Sequence, residues 1–240
     1  MPHTPPYLLF NLRAFSLSLV RVTTAHSLPN LDNRSYESTT QQRSPLLPRT
    51  PVPWCDKSNP MARPLIVGPS TGPEAPYPLR MEGKVIRGFG RGSKELGIPT
   101  ANLPVDSLTP WIADIKSGMY FGWASLRLPP SHPNQPTASS EVRSGFSVYP
   151  MVMSIGYNPV YENTERSVEV HVLHEFGADF YGVEMRLLIT GFIREEKDYP
   201  VLEALIEDIR IDCDVARNSL DREARALRET GKGTLDGSWL

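Results

Sequence analysis

The chain has 240 residues, a net charge of −2 at pH 7 and 40% hydrophobic residues, enough for one core of ordinary size with additions to it. The near-neutral balance gives no support for a nucleic-acid partner, and no apolar run approaches the roughly 20 residues that span a bilayer. The two cysteines, Cys55 and Cys213, make neither a metal cluster nor a disulfide framework, which suits a reducing compartment.

Residues 1–78 hold 14 of the 24 prolines, with Pro45, Pro48, Pro51 and Pro53 closely spaced among Ser, Thr, Gln and Asn. Such a stretch cannot bury enough apolar surface to offset the entropy of ordering it, so a disordered extension is expected. Its first 31 residues contain Arg13 and Arg21 but no acid, loosely like a mitochondrial presequence. Met61 offers an alternative start. The extension is read as a targeting segment, a non-functional extension, or a start placed too far upstream. The expected location is cytoplasmic, with the mitochondrion as the alternative.

Residues 83–104, GKVIRGFGRGSKELGIPTANLP, read as a short strand, a turn with Gly88, Gly90 and Gly92, and a second tight segment. Glycines let backbone N–H groups approach a ligand closely, and Arg91 and Lys94 add two cations, so the loop suits phosphate. It is neither a Walker loop nor a G-x-G-x-x-G turn: Ser93 stands where the latter needs its third glycine. A plain hairpin turn with solvated basic residues fits the same letters. Thr100 and Asn102 lie two residues apart, on one face if extended. Their neutral oxygens could form part of a Mg²⁺ shell completed by phosphates; an Asx-type turn after Pro99 is the competing reading.

Residues 118–126 are rich in strand-favouring aromatics. Residues 129–147 form a low-complexity insertion, expected as a long solvated hairpin loop. A strand follows at 148–155. Residues 167–175, SVEVHVLHE, alternate: Val168, Val170 and Val172 share one face, and Glu169, His171 and Leu173 the other. A turn at 179–182 leads to the last long strand, 183–193, with Gly191 as a bend. Asp198, Pro200 and Glu203 mark a helix start. Leu202, Leu205, Ile206, Ile209, Cys213, Ala216 and Leu220 then form an apolar stripe that should lie on the sheet. Residues 231–240 are expected to fray. With no βαβ alternation, strands joined by turns plus one terminal helix imply an antiparallel sheet or small closed barrel within residues 79–230.

Glu169 is the carboxylate to watch. If the valines fill the core, it faces a second surface, where it could act as a general base on a hydroxyl; an ordinary solvent-facing glutamate is the other reading.

The string GFGRGSKELGIPTAN closely resembles the signature of the riboflavin kinase family, and residues 83–217 resemble that family outside the 129–147 insertion. The resemblance implies a mainly β fold, a six-stranded antiparallel Greek-key barrel with a C-terminal helix. It implies phosphoryl transfer from ATP to riboflavin, giving FMN and ADP, and a monomer with ATP and riboflavin as its small-molecule partners. It makes Glu169 the base and Thr100 and Asn102 the metal ligands for Mg²⁺, with Zn²⁺ as the alternative metal. Gly88, Lys94, Thr100, His174, Phe176 and Tyr181 would bind the nucleotide, and Arg194 the flavin. A non-catalytic flavin- or nucleotide-binding barrel is the rival function.

Overall fold

Six main strands make one sheet, β1 (Leu79–Lys84), β2 (Ala101–Leu103), β3 (Gly118–Leu126), β4 (Phe146–Tyr157), β5 (Arg166–Val172) and β6 (Glu184–Glu195), and a short seventh, Val142–Arg143, pairs with the start of β4. The computed structural model describes residues 63–87, 97–105, 109–135, 145–157 and 165–240, and the backbone of two short strands at Leu12–Arg13 and Val142–Arg143. The lateral order is β1-β6-β3-β4-β5-β2, and every pairing is antiparallel. The run β6-β3-β4-β5 is a Greek key: three hairpin-linked strands with the next strand returning beside the first. The sheet curls until its edges meet at one bridge, where the Ile86 N–H donates to the Asn102 carbonyl at 2.9 Å.

Both faces of the sheet are covered, which explains why β3 is apolar along nearly its whole length. The inward face packs Met81, Val85, Tyr120, Met153, Val168, Val170, Val172 and Leu187 into one core. On the outward face, helix α1 (Leu202–Leu220) lays Leu205, Ile209, Cys213, Ala216 and Leu220 over Met119, Phe121 and Val152. Gly191 stands opposite Phe121, beside a shift in the β3–β6 register. A Cβ there would lie 2.5 Å from the Phe121 ring, so only glycine lets that ring seat.

Several expectations need correction. β1 begins at Leu79, ahead of the glycine-rich segment. The helix cap is Val201, with no side-chain cap bond, while Asp198 lies in a two-residue strand with Tyr199. The Tyr199 hydroxyl instead ties the start of α1 by donating to Asp208 Oδ2 at 2.5 Å. The 231–240 tail does not fray. Leu240 is 4% exposed and joins Leu227 on Leu188, and the Trp239 indole N–H donates to the Leu187 carbonyl at 3.3 Å. These residues cover the outward sheet surface that α1 leaves bare.

Residues 63–78 likewise dock on the domain. Arg222 donates to the Gly68 and Pro69 carbonyls at 3.0 and 3.1 Å, and the buried Arg225 donates to the Gly72 carbonyl at 3.0 Å. Proline lacks an N–H but keeps its carbonyl, so a Pro-rich segment can still accept from arginines.

Candidate functional site

The alternation of β5 sends its three valines into the barrel and turns Glu169 and His171 to the outward face, where α1 also lies. The register then does the assembly. Asn102 of β2 is the direct partner of Glu169, Ser154 of β4 is its partner on the other side, and Met119 and Arg194 continue the row. Directly opposed residues have Cβ atoms about 4.5–5.5 Å apart, so Asn102, Glu169 and Ser154 form one polar patch.

The Glu169 carboxyl is only partly exposed, and burial pushes its pKa up to about 8. Among the described residues no cation offsets that loss of hydration, so the group holds its proton more tightly than an ordinary glutamate. A carboxyl poised near neutral pH suits proton transfer.

Two anchors hold the Pro99–Asn102 stretch against this patch. Ile98 is buried in the cluster beneath α1. His171 Nδ1 lies 2.8 Å from the Pro99 carbonyl oxygen, an acceptor only, so Nδ1 carries the hydrogen. Burial lowers the His171 pKa, and the Arg217 charge lowers it further, which favours the neutral ring. Strand alternation put His171 on the face of Glu169, but a lone strand histidine carries no signal of what its ring will hold.

Gly88 and Lys94 lie outside the described residues, yet both ends of their loop are placed. It leaves the sheet just after the Ile86–Asn102 bridge and returns through Gly97 to Thr100. Beside its departure point, the Gly182 N–H donates to the Val85 carbonyl at 2.8 Å and Arg87 lies 4.7 Å over the Tyr181 ring. His174 and Phe176 sit further along the same turn in an aromatic cluster, with centroids 4.8 Å apart; Tyr149 is 4.7 Å from His174 and 5.3 Å from Phe176. Thr100, Asn102, Glu169 and Tyr181 thus converge on the two ends of one loop, with His174 and Phe176 along one side.

Arg194 stands at the far end of the lateral row, 9% exposed. Its Nε donates to both Asp212 oxygens at 3.1 Å, its Nη2 donates to Oδ2 at 2.7 Å, and its Nη1 donates to the Glu195 carbonyl at 3.1 Å. Asp212 is fully buried on the face of α1 that packs on the sheet. An aspartate among Ile and Cys at helical spacing was its only sequence signal.

The family model for riboflavin kinase, or flavokinase, matches residues 75–220. The chain belongs to the riboflavin kinase family. That span takes in all six strands and the whole of α1. Among curated relatives, a riboflavin kinase of Pyricularia oryzae is 65% identical over 191 residues, covering 75% of this chain and 94% of the relative. One of Neurospora crassa is 55% identical over 231 residues, covering 76% of this chain and 98% of the relative. Among solved structures, a riboflavin kinase from Trypanosoma brucei is 27% identical, covers 68% of this chain and 96% of its own, and superposes with a TM-score of 0.49.

Riboflavin kinases use ATP, so the fit of a metal to this site can be tested on its donors. Among the described residues, no group of three or more His, Cys, Asp or Glu could hold a metal ion. The nearest donor set is the hydroxyl of Thr100 and the amide oxygen of Asn102. Hard neutral oxygens that leave coordination positions for phosphate and water suit Mg²⁺; Zn²⁺ prefers imidazole and thiolate. No helix among the described residues is long and apolar enough to cross a membrane.

Proposed function

We propose that the chain transfers the γ-phosphoryl group of ATP to the terminal ribityl hydroxyl of riboflavin, giving FMN and ADP. Glu169 accepts the hydroxyl proton as the oxygen–phosphorus bond forms, and the bond between the β,γ-bridging oxygen and the γ-phosphorus breaks, leaving ADP. Phosphoryl transfer asks a protein for position and charge more than for covalent chemistry. The observation that carries this reading is the pairing of a desolvated carboxyl with Asn102 at the mouth of the glycine-rich loop.

Thr100 and Asn102 would hold Mg²⁺, which when bound supplies charge neutralisation to the phosphates. The Gly88 loop and Lys94 take the phosphate chain, and His174, Phe176 and Tyr181 take the rest of the nucleotide. His171 keeps the Thr100–Asn102 stretch in place through the Pro99 carbonyl. Arg194, oriented by Asp212, marks the end of the row where the flavin lies.

The test is direct. Purified protein is incubated with riboflavin, ATP and Mg²⁺, and flavins are separated chromatographically. FMN that appears in proportion to ADP supports the reading. Bound riboflavin with no FMN and no ATP consumed would mark a binding barrel instead.

A further inference from the structure

The insertion between β3 and β4, expected to be a solvated loop throughout, is not free at its start. Residues 129–135 fold back on themselves. The His132 N–H donates to the Pro129 carbonyl at 2.9 Å, the Gln135 N–H donates to the His132 carbonyl at 3.0 Å, and the Gln135 side chain donates to the Leu128 carbonyl. The knot then docks on the 174–180 turn.

Asn134 makes the contact. Its Oδ1 accepts the Gly177 N–H at 2.7 Å. Its Nδ2 donates to the Glu175 carbonyl at 3.2 Å and faces His174 Nε2 at 3.4 Å. A primary amide offers two donors and one carbonyl acceptor, and each meets its complement here. The arrangement requires His174 Nε2 to be the acceptor, so Nδ1 carries the ring hydrogen. His132, 7% exposed, backs the contact: its Nδ1 accepts the Asn134 N–H at 3.1 Å, and its Nε2 therefore donates to the Ala178 carbonyl at 3.1 Å. The His132 ring meets Phe176 and Phe180 edge-on, with centroids 6.1 and 6.4 Å away. Gly177 permits the approach, since a Cβ there would lie 3.3 Å from Pro133 Cγ.

Every atom gripped belongs to the turn that carries His174 and Phe176. We propose that residues 129–135 are a clamp on this turn, and that Asn134 is a positioning residue that sets nucleotide affinity. The clamp rests on the reading of His174 and Phe176 as nucleotide contacts. It fixes the tautomer and plane of the His174 ring and the height of Phe176, so the nucleotide meets a preorganised surface instead of ordering one on arrival.

Asn134→Asp tests this, because it keeps shape and the Gly177 bond but turns an oxygen toward the Glu175 carbonyl. The residue is partly exposed, so the fold tolerates the change. The expected result is a KM for ATP, and a Kd for ADP by calorimetry, raised on the order of three- to tenfold, the ratio that one or two hydrogen bonds are worth. The kcat and the KM for riboflavin should stay within about twofold, a split that a general loss of folding would not produce. His174→Ala is run beside it. If His174→Ala weakens ADP binding and Asn134→Asp does not, the clamp is overturned while the nucleotide reading survives. If neither variant changes ADP binding, both are overturned.

Discussion

Asn102 and Glu169 stand directly opposite each other across the β2–β5 pair. Neither strand is remarkable alone: β2 is three residues long and β5 is a plain alternating run. The pairing places a candidate metal ligand beside the candidate base, and the Ile86 bridge closes the barrel at the same Asn102.

The pKa of Glu169, raised to about 8 by burial, sets a pH dependence. The ionised form is the base, and it is the minor form at pH 7. The kcat/KM for riboflavin, which reports the free enzyme, should rise with pH, close to tenfold per unit below about 8, and level off above. The rising limb should vanish in Glu169→Gln. A wild-type profile flat between pH 6 and pH 8 would contradict a desolvated base.

The same shift has a stability consequence of definite sign. Between the usual glutamate value of 4.5 and about 8, the unfolded chain has lost this proton while the folded chain keeps it. The folded state binds more protons, so stability falls as pH rises through that window. Glu169→Gln removes the penalty. Urea unfolding should find the variant more stable than wild type at pH 9, by about 3–5 kcal/mol at most, with the gap closing below pH 5.

Thr100→Ala removes one of the two oxygens assigned to the metal. The Mg²⁺ concentration for half-maximal rate should rise on the order of tenfold, the cost of one lost hydroxyl contact. His171→Phe, which keeps an aromatic ring but loses the N–H to Pro99, should move the same parameter in the same direction. His171→Asn, which keeps a donor, should recover part of the loss. Unchanged magnesium dependence in both Thr100→Ala and His171→Phe would remove the metal assignment.

The Arg194–Asp212 pair should behave as a buried ion pair does. Asp212→Ala leaves a guanidinium buried without its partner and should cost about 3–5 kcal/mol in urea unfolding. Arg194→Met with Asp212→Leu removes both charges and should lose much less stability. A loss in the double variant equal to the sum of the losses in Arg194→Met and Asp212→Leu alone would show that the pair is not coupled.

Much of this architecture was legible in the letters. Val168, Val170 and Val172 alternate so cleanly that the opposite facing of Glu169 followed, and the aromatic run at 118–126 matches β3 residue for residue. Contacts between distant residues were not legible. Nothing local says that Asp212 will bury itself against Arg194, 18 residues earlier, or that Asn134 will reach Gly177, 43 residues on. Both pairs arise only once the Greek key sets which strands are neighbours. The tail misled because glycine spacing suggests fraying, while the decisive residues were Trp239 and Leu240, whose burial depends on a sheet face left open by α1.

The central claim is that Glu169 is the base for phosphorylation of riboflavin. The most direct measurement is kcat for FMN formation by Glu169→Gln at saturating riboflavin, ATP and Mg²⁺, with thermal unfolding as the check that the barrel is intact. The account predicts a fall on the order of 10²–10⁴-fold with nucleotide binding retained. A folded variant that turns over within a few-fold of wild type would contradict it.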